Sequence, residues 1–405
     1  MLVKLFRCVP WGVVFLLIRK AALKLALLFL VLLCVKAPWV WHYSVAGRDL
    51  LDGAAEKDLL ARRRWLLRNV AIESFSLKQM PAFSPTIMRQ EWAIGTLSMT
   101  SAALANLVFL YPETRQESKD AIAKMIERLL RDDLASYEDY WWGESALSTL
   151  NGKNGHIGYL AHLNFMLGAY RAVGGDARYD RLHRSISDAL ARRVLQSHHH
   201  YLETFPGQIF IPDNAATIAS LSIAQLTVGA DYKRPIEAWL AQTRGHLLDP
   251  GTGLIRPWID SDGRGFGPPR GSYAAWTIYY LNWIDRNLAL EQYRRLRANF
   301  AVNLPFGLAA LREYPRGYDG PADVDSGPVI FGLSTSGTGF MIAGARLSRD
   351  ANYLQRLLTS AEVVGSTVGT GEIRHYLFAP VVGEAILLAM KTTCNWDERY
   401  VQAAP

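Results

Sequence analysis

Three carboxylates and one histidine have the residue types and positions that acid/base chemistry needs: Glu144, Asp213, Asp325 and His156. Each stands at or shortly before the start of an apolar stretch. A pair of carboxyl groups facing one bond divides the proton work, one giving and one taking. Asp323 and Asp325 lie two residues apart in Ala-Asp-Val-Asp-Ser-Gly-Pro. In an extended loop they point to the same side, where mutual repulsion raises one pKa; the competing use is an Asx-turn ahead of Gly327-Pro328. Asp213 directly precedes an apolar helix, so it is either an N-cap or a carboxylate facing the cavity. His156, Tyr159 and His162 follow one another at i, i+3 and i+6, roughly along one helix face, with His156 as proton carrier or cap.

Aromatic residues accompany these groups. Tyr140, Trp141 and Trp142 run into Glu144, and Trp258 lies in another long connection. Indoles stack on sugar or apolar rings, or simply pack over a core. His375 and Tyr376 close a polar group with Glu372 and Arg374 before the last apolar stretch. With Tyr159, these are the candidate substrate-binding residues. The run His198-His199-His200 reads as a solvated loop, because adjacent side chains diverge, so no metal is expected. Gly263, Gly265 and Gly267 do not lead from a strand into a helix at phosphate-loop spacing. No nucleotide, nicotinamide or zinc motif is present, and no cofactor is expected.

The elements that must position these residues repeat. Tyr179, Tyr232, Tyr293 and Tyr353 are spaced 53, 61 and 60 residues apart. An apolar, small-residue-rich stretch precedes each break: 157–172, 214–228, 272–286 and 335–347. A more charged, amphipathic stretch follows, as in 180–195 and 233–247. Residues 91–109 with 117–131, and residues 377–391, complete six apolar helices, buried on all sides. The pattern predicts an all-α (α/α)6 toroid of six helical hairpins, closed because neither end carries a polar capping pair; the alternative is an open solenoid. Short hairpins are expected around Gln208–Ile211 and Gly253–Ile255. The long connections 136–156, 197–213, 248–271, 312–334 and 369–376 alternate with short breaks, so all fall at one end of the ring. They hold every candidate but Tyr159 and His162, and long loops on a rigid scaffold usually carry function.

The six-hairpin pattern resembles the superfamily of (α/α)6 toroid enzymes, most of which are carbohydrate-active glycosidases, lyases and epimerases. Within that fold, Tyr140-Trp-Trp-Gly-Glu144, Gly155-His156-Ile-Gly-Tyr159-Leu-Ala-His162 and Pro206-Gly-Gln-Ile-Phe-Ile-Pro-Asp213-Asn214 resemble the linalool dehydratase/isomerase family. That resemblance implies cofactor-free acid/base chemistry in the ring cavity, assisted by cysteines. The body of this chain has one cysteine, Cys394.

Charge and hydropathy place the body. The chain has 405 residues and a net charge of +7. Residues 1–48 hold seven basic residues and no acid, so the remainder is neutral, which argues against a nucleic-acid surface. Residues 25–35 are apolar with basic residues before them, which reads as a membrane signal-anchor over about 21–43, or alternatively a signal peptide cleaved after Ser44-Val45-Ala46. The positive side stays cytoplasmic and the body crosses. The expected organisation is a stub and anchor (1–48), a connecting helix (49–74), the toroid (75–395) and a tail (396–405). The first reading is a membrane-tethered, extracytoplasmic enzyme acting on a glycan by general acid/base chemistry. The others are a dehydratase/isomerase of a small apolar alcohol, and a non-catalytic envelope scaffold.

Overall fold

The computed structural model describes residues 20–24, 26–28, 30–32, 34–38, 55–81, 84–260 and 262–396. The basic stub before residue 20, the proposed cleavage site, the aromatic residues Trp39, Trp41 and Tyr43, and the tail beyond Trp396 lie outside them. Among the described residues the first helix, α1 (Lys20–Pro38), has 19 residues, is apolar enough to cross a membrane and buries none of its apolar window.

The body alternates helices in chain order. They are α2 (Glu56–Asn69), α3 (Thr86–Leu110), α4 (Arg115–Leu129), two short helices α5 (Asp132–Ala135) and α6 (Tyr137–Trp142), α7 (Ile157–Ala172), α8 (Asp180–Gln196), α9 (Ile211–Val228), α10 (Lys233–His246), α11 (Gly271–Ile284), α12 (Arg286–Phe300), α13 (Thr335–Leu347), α14 (Ala351–Gly365) and α15 (Val381–Thr392). The inner wall is α3, α7, α9, α11, α13 and α15, each packed on the next, and α15 packs back on α3. The ring is therefore closed, an (α/α)6 toroid rather than an open solenoid. Nearly every residue of these helices is apolar or small, as burial on all sides demands. Close approach is enforced at Gly168, where a Cβ would stand 2.4 Å from Ile223 Cγ2 on α9.

The repeating tyrosines have a stitching role. Tyr179 and Tyr232 donate hydroxyl protons to Glu127 (3.3 Å) and Asp188 (2.9 Å) on the preceding outer helix. Tyr293 donates forward to Asp350 (2.9 Å), which also caps α14. The helix read from sequence as a connector, α2, has a larger part. It packs on α15 and lies between α14 and α4, bonding Glu362 through Arg62 and Glu117 through Arg63. It is the outer helix of the sixth pair, and the chain's N-terminal side thus completes the ring. Trp396, read as the start of a tail, is buried; its ring meets Phe109, Phe165 and Trp283, and its indole N–H donates to Asn106 (2.8 Å), sealing one end of the barrel.

Short strands lie in the long connections at the other end: β1 (Trp258–Ile259) with β2 (Gly265–Phe266), then β3 (Ala301–Asn303), β4 (Ala309–Arg312), β5 (Val329–Ile330) and β6 (Leu333–Ser334) in the order β3-β4-β6-β5, and β7 (Thr367–Thr370) with β8 (Ile373–Tyr376), all antiparallel. The regions expected to form hairpins make isolated bridges instead, Phe205 to Gln208 and Leu248 to Ile255. Every inner helix is entered from a long connection and left by a short break, so the inner N-termini gather at one end, the mouth.

Candidate active site

Four carboxyl groups from four different segments meet in one electrostatic field at the mouth. Glu91 sits in the second turn of α3, Glu138 on α6, Asp213 in the first turn of α9, and Asp325 on the connection between β4 and β5. Burial and the neighbouring Asp325 and Asp213 push Glu91 well above the usual carboxylate range, with Glu138 adding to the repulsion. Burial pushes Asp213 up to about 7; the Thr204 hydroxyl, donating at 2.9 Å, partly offsets it, and Asp325 and Glu138 raise it further. Asp325 rises to about 6 through burial and the charge of Asp323.

Asp213 is not the N-cap. Phe210 takes that position and Pro212 opens the helix, which leaves the Asp213 carboxyl inside the first turn and half-buried. Asp323 does form the turn, accepting from the Ser326 amide at 2.8 Å, and the Arg270 guanidinium with the Ser326 amide holds its pKa low. The Tyr273 hydroxyl lies 3.1 Å from Asp323 and 3.0 Å from Asp325. One hydroxyl proton serves one of these contacts; the other is a hydrogen bond when Asp325 carries its own proton. Of the pair, Asp323 is thus the member that stays ionised and Asp325 the one that carries a proton until it titrates. Arg270, almost fully buried, also bonds Glu313 (2.7 Å) and lies over the rings of Tyr273, Tyr314 and Trp258.

A second path reaches the cluster from the rim. The short helix α6 ends at Gly143, whose φ of +68° turns the chain back and brings Glu144 over His156. Glu144 is 34% exposed and accepts from Asn154 (2.8 Å); its carboxyl lies 3.1 Å from His156 Nε2 and titrates below the usual range because of that contact. The other face of the same ring is Nδ1, 3.4 Å from Glu138 Oε2, and both His156 and Glu138 are fully buried. Burial raises Glu138, and the His156 ring moderates the rise. His156 caps α7 with φ +52°, a left-handed conformation costly for a side-chain-bearing residue and most often retained at functional sites. Glu144, His156 and Glu138 therefore form a continuous line from solvent to the buried carboxyls.

Aromatic rings continue along the mouth. Tyr140 meets Trp141 at 4.8 Å, Trp141 meets Phe205 at 4.6 Å, Phe205 meets Phe210 at 5.9 Å, and Phe210 meets both Trp258 and Tyr273 at 6.3 Å. Trp142 leans on His156 at 5.1 Å. The remaining candidates sit elsewhere. Tyr159 is fully buried and donates to the Leu129 carbonyl of the outer helix (3.0 Å). His162 bonds Ser98 (3.1 Å), and burial lowers it to about 4, so it is a neutral core histidine. His375 stacks on Trp65 of α2, and the Tyr376 hydroxyl donates to Glu362 (2.6 Å). Tyr376 belongs to a buried ionic clasp in which Glu362 also binds Arg62 (2.8 Å) and Lys391 (2.5 Å).

Glu91, Glu138 and Tyr273 were not among the candidates read from sequence. A signal existed for Glu91, the lone acid in the 25 residues of α3. A carboxylate in an otherwise apolar inner helix has to face either a partner or a cavity. Cysteine assistance has no counterpart at the mouth among the described residues. Cys34 is exposed on α1, and Cys394 is packed against Asn106, its thiol pushed up to about 12 by burial.

No protein-family model matches the chain. Among solved structures, a family 105 glycoside hydrolase from C. acetobutylicum ATCC 824 superposes with a TM-score of 0.50 at 13% identity, over 73% of this chain and 92% of that one. A polysaccharide lyase (TM-score 0.48, 12% identity, 88% and 99% covered) and a family 88 glycosyl hydrolase from Bacteroides vulgatus (0.46, 12%, 87% and 99%) are more distant in shape. At these identities the likeness is one of fold, the (α/α)6 toroid.

Proposed function

We propose that this protein is an enzyme that acts on a glycan by cofactor-independent general acid/base catalysis at the ring mouth. The observation that carries the reading is the meeting of Asp213 and Asp325, both poised to titrate near neutrality, beside a continuous row of aromatic rings. A carboxyl that keeps its proton to about pH 7 can donate it to a leaving oxygen at neutral pH. Asp213 is the acid, since it holds its proton to higher pH. Asp325, which ionises first and passes its hydrogen bond through Tyr273, is the base. Burial keeps Asp213 protonated, Asp325 and Glu138 add to the effect, and the Glu144–His156 pair returns the proton from solvent. Trp141, Phe210 and Trp258 offer flat faces for sugar rings. The family 105 glycoside hydrolase of the same fold favours a glycan over other substrates for such a cleft, by analogy of architecture.

The anchor belongs to the same proposal. Nineteen residues of helix rise roughly 29 Å, about the thickness of a bilayer's hydrocarbon core. With basic residues at its start, α1 tethers the body outside the cytoplasm.

Incubating the full chain in detergent with a panel of soluble polysaccharides tests the reading. Reducing-end release reports hydrolysis, and ultraviolet absorbance of an unsaturated product reports elimination. Asp213→Asn and Asp325→Asn should each lower turnover by about 100-fold or more, with Glu237→Gln on the outer surface unchanged. Turnover that survives both mouth substitutions would remove the assignment. Binding without turnover on every polysaccharide would favour a scaffold.

A further inference from the structure

Near the end of α1, Lys36 touches the body on the mouth rim. Lys36 Nζ donates to the Val363 carbonyl (2.8 Å) and to the Ser366 hydroxyl, both at the C-terminal end of α14. Outer helices run toward the mouth, so the apolar helix meets the ring at the end that holds the carboxylates. Beside this contact lies an uncovered apolar patch. Val364 is 63% exposed, Leu377 57% and Phe378 70%. Backbone hydrogen bonds hold the two segments together, Leu377 to Ser366 (3.0 Å) and Phe378 to Gly365 (3.1 Å). Phe378 is three residues before α15, whose N-terminus is at the mouth. The neighbouring rim hairpin adds Ile330 and Phe331, also exposed. Large apolar side chains gathered next to an apolar helix end are the pattern of a surface that meets lipid.

We infer that the rim sector formed by Val364, Leu377 and Phe378 seats on the lipid surface beside α1, so that the ring mouth opens at the bilayer. Its substrate is then a glycan held at the membrane surface rather than one diffusing freely; that part rests on the glycan reading above, whereas the seating does not. The contact of Lys36 with Val363 and Ser366 fixes which sector faces the membrane. A lysine at that depth keeps its ammonium at the headgroup level, with both carbonyl and hydroxyl partners supplied by the rim.

The test places single fluorophores on the full chain in lipid nanodiscs, with Cys8→Ser, Cys34→Ser and the half-buried Cys394→Ser in the background. Labels go on Phe378→Cys at the rim, Glu113→Cys at the opposite end of the ring, and Leu28→Cys within α1. Lipids brominated near the headgroup should quench the Phe378 label at least 3-fold more than the Glu113 label, with the Leu28 label quenched most by deeply brominated lipid. Equal quenching at Phe378 and Glu113 overturns the seating even if α1 is inserted. Protection of the Phe378 label from both bromolipid and aqueous iodide means that protein rather than lipid covers the patch, and also overturns it. An unquenched Leu28 label removes the anchor and the inference together. None of these readings depends on turnover, so loss of the glycan reading is a separate result.

Discussion

Replacing Asp213 with Asn should stabilise the protein at alkaline pH while lowering its turnover by about 100-fold or more. The carboxyl titrates near 3.8 when unperturbed and is pushed up to about 7 in the ring. Between those values the folded state holds a proton that the unfolded chain has released. Stability from this group is therefore complete below about pH 4 and is lost as pH rises through 7. At 1.36 kcal/mol per unit, the three-unit shift sets an upper cost of about 4 kcal/mol for ionised Asp213 at pH 8, and about 1.5 kcal/mol at pH 5. Asp213 is half-buried, and water in the mouth screens it, so about half of each figure is the expected effect. Asparagine has the same shape, keeps a hydrogen-bond partner for Thr204 and carries no charge. Urea unfolding of the full chain in detergent, followed by tryptophan fluorescence, should show the Asn variant gaining about 2 kcal/mol at pH 8 and under about 1 kcal/mol at pH 5. Destabilisation at pH 8, or an equal gain at both pH values, would refute the claim that burial, with Asp325 and Glu138 nearby, pushes Asp213 up.

Three further outcomes follow from the geometry. His156→Asn keeps a residue type that tolerates the left-handed backbone but breaks the line between Glu144 and Glu138. Turnover should fall about 10- to 100-fold and recover with added imidazole, whereas a purely structural role would show no rescue. Glu362→Gln leaves the buried Arg62 and Lys391 with Asp58 as their remaining shared anion and should cost about 3 kcal/mol in a thermal melt. Glu237→Gln, which breaks an exposed pair with Lys233, should cost less than about 1 kcal/mol by the same measurement.

The hairpin pattern was legible because it is local. Apolar stretches of helical length, a tyrosine at each break and alternating short and long connections are properties of consecutive residues. They oblige inner helices to be buried and the long loops to collect at one end. The ring could be counted because each hairpin announces itself. The same locality hid the sixth outer helix: α2 stands at the opposite end of the chain from its partner α15, and no spacing connects them. Only Arg62 reaching Glu362 and Arg63 reaching Glu117 put it in the ring.

The site divided along the same line. Glu144, His156, Asp213 and Asp325 were visible as residue types at the ends of apolar stretches. Their roles were not, because a carboxyl's titration depends on charges brought near it by folding. Asp325 near Glu91 and Asp213, or Glu138 behind His156, is a relation between hairpins distant in sequence. Tyr376 shows the converse, a polar residue in a promising loop whose hydroxyl the ionic clasp consumes. Sequence by itself determined the architecture and the end of the ring where the long connections gather, because helix periodicity and chain connectivity act between neighbours. Tertiary structure alone decided which carboxyls share a field and which are caps and clasps, because Coulomb forces and desolvation act through space.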